Sequence, residues 1–261
     1  MLLAVNVGNT NTVLGVFAGA ELKWSWRMST QSERTADELA VVFGGFLEQH
    51  ELSFSRQITG VAIASVVPTS TRALREMTER YFSFPAVVVE PGTRTGLSIL
   101  TDNPREVGAD RIVNALAAYH RYGGPCIVID FGTATTFNCV NDRGEFIGGA
   151  IAPGIATSVE ALVNRAARLA RVELARPKEA IGRNTTTNLQ SGAIYGYAGL
   201  VDGLIGRMRA EMGGTAQVIA TGGNAGLVVD VARCVERIDE HLRLQGLRML
   251  YEEAHPLDPQ R

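Results

Sequence analysis

A chain of 261 residues, 46% hydrophobic and 20% charged, can bury one large core or two modest ones, and its composition excludes disorder as the main state. Lys and Arg number 25 against 27 Asp and Glu, so no electrostatic excess points to nucleic acid or a membrane surface as partner. The three cysteines, Cys126, Cys139 and Cys234, are odd in number and sit among apolar neighbours, which fits reduced small hydrophobes better than a disulfide framework.

Along the chain, residues 2–7 are almost wholly apolar and read as a strand buried on both faces. "TVLGVF" at 12–17 reads as the next strand, "AGAE" as a turn, and "LKWSWRMS" at 22–29 as an alternating partner. "TADELAVVFGGFLEQH" at 35–50 has helical spacing, with Thr35 as cap and Glu38 three residues on. "ITGVAIASVVP" at 58–68 is predicted as a strand, "STRALREMTERYF" as a helix, and "AVVVE" at 86–90 as a short buried strand. "PREVGADRIVNALAAYHRYG" at 104–123 reads as one helix with Ile112, Leu116 and Tyr119 on its apolar face, stopped by Gly123 and Gly124.

The second half begins with strand, turn and strand in "PCIVIDFGTATTFNCV" at 125–140, followed by a turn at "NDRGE" and a strand at "FIGGAIAPG". Helix is predicted from 155 through "SVEALVNRAARLARVEL", and again over 190–212. "AQVIATGGNAGL" reads as a strand running into a glycine turn, and "YEEAHPLDPQR" as a frayed tail. The four histidines, at 50, 120, 241 and 255, lack metal-ligand spacing. No apolar run approaches membrane-spanning length, and the "LLAV" start is too short for a signal-peptide core and has no basic residues ahead of it. The expectation is a soluble protein that stays in the cytoplasm.

An internal repeat organises these elements. "LLAVNVGNTNTVLGVF" and "CIVIDFGTATTFNCV" share an apolar strand, a polar residue, one apolar residue, Gly, a small polar cluster and a second strand. Asn6 aligns with Asp130 and Gly8 with Gly132, an offset of 130 − 6 = 124 residues. The repeat predicts a duplicated α/β domain with a cleft between the halves. Two such loops suit an anionic ligand, because Gly admits close backbone approach while N–H groups and hydroxyls donate to phosphate oxygens. The first loop offers Thr10, Thr12, Asn9 and Asn11, and the second Thr133, Thr135 and Thr136.

The common nucleotide and hydrolase motifs are missing. The sequence has no G-x-x-x-x-G-K-[ST], no G-x-G and no G-x-S-x-G, so the P-loop, dinucleotide fold, kinase glycine loop and esterase elbow all lack support. "GADR" at 108–111 sets Asp110 and Arg111 at a helix start, where a carboxylate can take a proton from a hydroxyl and an arginine can hold a carboxylate. From spacing alone, an exposed acid–base pair at a helix start is the simpler reading. "VIATGGNAG" suits the flat face of an adenine or an ordinary turn, and the basic stretch at 165–183 a solvated helix face plus a linker.

Together, "VGNTNTV", "DNPREVGADRIVNA", "DFGTATTF", "GGAIAPGI", "IGRNTTTNLQSG", "YGYAGLVDGL" and "ATGGNAG" resemble the type III pantothenate kinases of the acetate and sugar kinase/Hsc70/actin superfamily. These segments run in order from residue 7 to 226. The resemblance implies an actin-like ATPase fold of two ribonuclease-H-like domains, at 1–116 and 117–255, with a tail at 256–261. It also implies ATP-dependent phosphorylation of pantothenate to 4'-phosphopantothenate, the first step towards coenzyme A, by a homodimer using Mg²⁺ and a monovalent cation (K⁺ or NH₄⁺). By the same resemblance Asn6, Val7, Gly8, Asn9, Thr10, Asn11, Thr12 and Val13 hold ATP phosphates and Thr133 also contacts ATP. Gly108, Ala109, Asp110 and Arg111 bind pantothenate with Asp110 as proton acceptor, Thr185 contacts the substrate, and Asp130 holds the monovalent cation.

Two positions depart from the family pattern. The family's first phosphate loop typically begins with Asp where this chain has Asn6, and many members carry Asp where it has Asn138. An amide keeps the shape of a carboxylate without its charge, and Mg²⁺ prefers hard anionic oxygen. The pair predicts weak turnover at best, either because the chain is a slow or inactive relative with a ligand-binding or regulatory role, or because Asp110, Asp130 and water-mediated metal contacts carry the reaction. A kinase acting on another small hydroxyl substrate is a third expectation, against which the specific "DNPREVGADR" stretch argues.

Overall fold

The computed structural model describes residues 1–82, 84–90, 92–166, 169 and 171–255. The chain forms two compact units. In the first, β1 (Leu2–Val7), β2 (Asn11–Ala18) and β3 (Glu21–Ser29) form an antiparallel meander, followed by α1 (Ala36–Glu48), β4 (Gly60–Ser65), α2 (Pro68–Tyr81) and β5 (Val87–Val89). The sheet order is β3-β2-β1-β4-β5, with β1, β4 and β5 parallel. Every residue of β1 is buried, which explains a run that is apolar but for Asn6. The edge strand β3 alternates instead, turning Glu21, Lys23, Ser25, Arg27 and Ser29 to solvent and packing Trp24, Trp26 and Met28 on the core.

One face of this sheet, with Leu3, Val5, Val7, Leu14, Val61 and Ile63, packs on Phe43 and Leu47 of α1 and Leu74 and Met77 of α2. Helix α1 carries the predicted capping box: Glu38 N donates to Thr35 Oγ1 and Thr35 N donates to Glu38 Oε2, at 3.3 and 2.8 Å.

The next elements are a 3₁₀ turn at Pro104–Glu106, α3 (Ala109–Tyr122), β6 (Cys126–Phe131), β7 (Ala134–Val140), β8 (Phe146–Pro153), α4 (Ile155–Arg165), α5 (Thr185–Glu211), β9 (Gln217–Thr221), α6 (Ala225–Val228), β10 (Arg237–Ile238) and α7 (Leu242–Ala254). The second sheet runs β8-β7-β6-β9-β10. Its strand senses match those of the first sheet pair for pair, β6 with β7 and β7 with β8 antiparallel, β6 with β9 and β9 with β10 parallel. The repeat read from the sequence is therefore a duplication of topology.

Several expectations need correction. The division between units falls inside α3, after Ala117, rather than after residue 116, and the segment from Leu242 on belongs to the first unit rather than to a domain ending at 255. Helix α7 packs on β1, β4 and β2. It lies close where that sheet face has glycines: a Cβ at Gly60 would stand 2.1 Å from Tyr251 Oη, and one at Gly15 2.7 Å from Leu244. Tyr251 to Ala254, read as tail, are thus helical, and 256–261 lie outside the described residues.

Residues 104–123 are not one helix. Asn103 Oδ1 accepts from Arg105 N, Val107 is extended with its side chain buried, and α3 begins only after it. Residues 112–118 of α3 are buried all round rather than along one apolar face.

Helix α4 stops at Arg165. Beyond it the described residues leave the helix, with Val172 and Leu174 half-buried between exposed neighbours, and residues 167, 168 and 170 lie outside the described residues. Helix α5 starts five residues before the predicted 190, because Asn184 and Thr187 form a reciprocal cap.

One close helix contact in the first unit brings backbone against backbone. A Cβ at Gly246 of α7 would lie 2.1 Å from the Val113 carbonyl oxygen of α3. Gly246→Ala is expected to destabilise the protein by about 1–3 kcal/mol, since a carbonyl cannot rotate away as a side chain can. Urea denaturation of the variant beside wild type checks this, and unchanged midpoints would contradict the packing.

Candidate active site

In the first unit, the β1–β2 loop is closed by Gly8 N donating to Asn11 O at 3.0 Å, with no room for more than glycine comfortably at Gly8, whose Cβ would meet Asn11 O at 3.2 Å. The end of β3 braces the loop. Thr30 N donates to Thr10 O at 2.9 Å, and Thr30 Oγ1 donates to Gly8 O at 2.8 Å. Thr30 has a single hydroxyl proton, so in its 2.9 Å contact with Thr12 the donor is Thr12.

Thr12 is therefore an inward strut, and the side chains presented to solvent are Asn9, Thr10 and Asn11. Val7 is buried and Val13 half-buried. Thr30 escaped the sequence reading; its only signal is a threonine closing a strand that pairs with the loop-bearing one.

Asn6 lies one residue before the loop, 2% exposed, and its Oδ1 has no hydrogen-bond partner among the described residues. By strand alternation it shares the sheet face of Ala4 and stands in register with Ala64, away from the large apolar side chains at Val5 and Val7. A buried amide oxygen left unpaired costs stability. An added ligand such as a metal-bound water would satisfy it.

Also in the first unit, Gly108, Ala109, Asp110 and Arg111 form the half-buried start of α3. Arg111 N and Ile112 N donate to Gly108 O at 3.0 and 3.2 Å, and Arg111 N also lies 3.0 Å from Asp110 Oδ1. The carboxylate folds back so closely that a Cβ at Gly108 would stand 2.7 Å from Asp110 Oδ1.

A cavity of about 730 Å³ reaches Gly108 and Ala109 and is walled by Ser65 and Val66 after β4, Val88–Glu90 at the end of β5, Arg72 and Arg75 of α2, and Arg105–Val107. Its volume suits a small-molecule ligand, and its place at the carboxyl ends of parallel strands is where α/β folds bind one.

In the second unit, Asp130 is 2% exposed near the end of β6, in register with Thr136 of β7 and Thr221 of β9. Gly222, with φ +95°, passes so close that a Cβ there would lie 2.6 Å from Asp130 Oδ1. Asn138 Nδ2 donates to Thr136 Oγ1 at 3.3 Å on the same sheet face. Asp130, Thr136 and Thr221 thus gather oxygen on one face, a donor set that suits a hard cation.

The β6–β7 loop is one residue shorter than its counterpart, since Phe131 pairs with Thr135 whereas Val7 pairs with Thr12. Thr133 is exposed at its tip, held by its carbonyl, which accepts from Gly154 N at 2.9 Å and Thr157 Oγ1 at 2.8 Å. Thr135, expected to face a ligand, is buried 3.0 Å from Tyr197 Oη, which also reaches Pro153 O. Burial raises the Tyr197 hydroxyl above its usual pKa, so it stays a donor. Thr185 stands exposed at the first position of α5.

Thiolate chemistry has no support: burial pushes the Cys126 and Cys234 thiols up to about 12. Among the described residues no three His, Cys, Asp or Glu side chains gather as a metal cage.

A family model described as type III pantothenate kinase matches residues 2–207. The type III pantothenate kinase of Frankia alni is 55% identical over 254 residues, covering 97% of this chain and 99% of that protein. The enzyme of the same name from Moorella thermoacetica is 52% identical over 252 residues, covering 97% and 99%. Among solved structures, the activator of 2-hydroxyisocaproyl-CoA dehydratase from Clostridium difficile, with bound ADPNP, superposes with a TM-score of 0.55 at 11% identity, covering 98% of each chain. The inorganic polyphosphate/ATP-glucomannokinase of Arthrobacter sp. strain KM gives 0.53 at 14% identity, covering 97% and 99%. At such low identity these two carry the fold alone, that of the actin-like ATPases with duplicated ribonuclease-H-like domains. No helix among the described residues is long and apolar enough to cross a membrane. With the fold duplicated and the match running through the glycine loops and the GADR helix start, the chain belongs to the type III pantothenate kinase family.

Proposed function

We propose that this chain transfers the γ-phosphoryl group of ATP to the primary hydroxyl of pantothenate, giving 4'-phosphopantothenate and ADP as the entry to coenzyme A. The observation that carries the reading is the Asp110 carboxylate, fixed at the start of α3 in a "GADR" turn that borders a ligand-sized cavity. As the hydroxyl oxygen bonds to the γ-phosphorus and the bond to ADP breaks, the hydroxyl proton passes to Asp110.

In this reading Asn6 to Val13 take the ATP phosphates through the loop braced by Thr30, and Thr133 also contacts ATP. Gly108 to Arg111 and Thr185 hold pantothenate. Asp130, with Thr136 and Thr221 beside it, holds K⁺ or NH₄⁺. Mg²⁺ bound with ATP would offset phosphate charge, and Asn6 Oδ1, unpaired at the loop, would face it. The enzyme works as a homodimer in the cytoplasm, with no nucleic acid or membrane partner.

Pantothenate-dependent ADP release by the purified protein tests this. Release is expected only when ATP and pantothenate are both present. An equal rate without pantothenate, or calorimetric binding of pantothenate with no ADP formed, would overturn it.

A further inference from the structure

The cavity beside Gly108 and Ala109 is unevenly charged. Arg72, Arg75 and Arg105 line it against Glu90 and Glu106. Arg75 Nη2 is held 2.6 Å from Glu90 Oε1, and Glu106 Oε1 accepts from Asn103 Nδ2 at 2.7 Å. Among the described residues neither Arg72 nor Arg105 has a carboxylate within ion-pair distance.

Of the remaining wall, Val66, Pro68, Val88 and Val89 are apolar, and Ser65 and Thr71 add hydroxyls. An apolar wall with two uncommitted guanidiniums fits a ligand with a branched aliphatic middle and an anionic end. Arg105 is well placed to hold such an end, because the Asn103 cap fixes its backbone in the short turn that leads into Gly108.

Resting on the reaction proposed above, the substrate's hydroxyl end lies at Asp110 and its carboxylate end is left for the cavity. We propose that Arg72 and Arg105 read that carboxylate and so set this chain's preference for an acid over its neutral analogues. A guanidinium suits the task, since it offers a planar donor fork to a carboxylate and keeps its charge at any working pH.

The test compares pantothenate with its alcohol analogue, in which –CH₂OH replaces the carboxylate, on wild type, Arg72→Gln, Arg105→Gln and the double variant. KM for pantothenate is expected to rise about tenfold per arginine, the scale of one charge-assisted hydrogen bond near solvent, with kcat nearly kept and KM for the alcohol unmoved. Arg105→Lys is expected to recover part of the acid preference by charge alone. Parallel rises for both compounds would mean a structural role and would overturn the assignment, as would no change for either.

Calorimetric titration of both compounds into wild type and the double variant reads the same preference without turnover. The assignment therefore stands or falls even if wild type forms no product, an outcome that would count only against the reaction.

Discussion

Asp110→Asn is expected to lower kcat by roughly 10²–10⁴, the range lost when a positioned general base is removed. The amide keeps the shape that accepts the Arg111 N–H at the start of α3, so the helix forms and pantothenate binds much as before. What disappears is a basic oxygen for the hydroxyl proton. A companion variant separates basicity from position. Gly108→Ala keeps the carboxylate but puts a methyl group 2.7 Å from where Asp110 Oδ1 now lies. Displacement of about 1 Å costs on the order of 10² in rate. Steady-state kinetics check both, and unchanged kcat in Asp110→Asn would exclude Asp110 as proton acceptor.

The opposite sign is expected at Asn6. Restoring a carboxylate, as Asn6→Asp, is expected to raise kcat by roughly 10²–10³, the scale of one well-placed electrostatic group in the transition state. In the proposed reaction the carboxylate would help hold the Mg²⁺ that comes with ATP, for which it is a better ligand than an amide.

The same change has a stability signature. Asn6 is 2% exposed, with Ala64 beside it and no hydrogen-bond partner on Oδ1. A charge there without a counter-ion destabilises the fold. Asn6→Asp should therefore melt below wild type without ligands and gain more from Mg²⁺–ATP than wild type does. Differential scanning fluorimetry reads this independently of turnover. Equal turnover and equal Mg²⁺–ATP stabilisation in the two proteins would show that the Asn6 amide is no handicap.

Much of this architecture was legible in the sequence because burial leaves a direct trace in strands. An almost wholly apolar run marked β1 as buried on both faces, alternation marked β3 as its partner, and the shared layout around Asn6 and Asp130 announced two sheets of one topology. Long-range packing left no such trace. The return of α7 to the first sheet depends on Gly15, Gly60 and Gly246 making room, and a glycine's neighbour cannot be read from the glycine.

The complete burial of residues 112–118 in α3 was hidden for a related reason, since Ala and Asn side chains give no strong apolar stripe. In the proposed site, "GADR" pointed to Asp110. Arg72, Arg105 and Thr30 stayed invisible because only strand pairing and helix placement bring them to the residues of the proposed site.

Phosphorus NMR of the purified chain with ATP, Mg²⁺, K⁺ and pantothenate tests the central claim most directly. A new phosphomonoester resonance growing in step with ADP, slowly in wild type, is the predicted result. Conversion of ATP to inorganic phosphate alone, or an unchanged spectrum while pantothenate is bound, would contradict it.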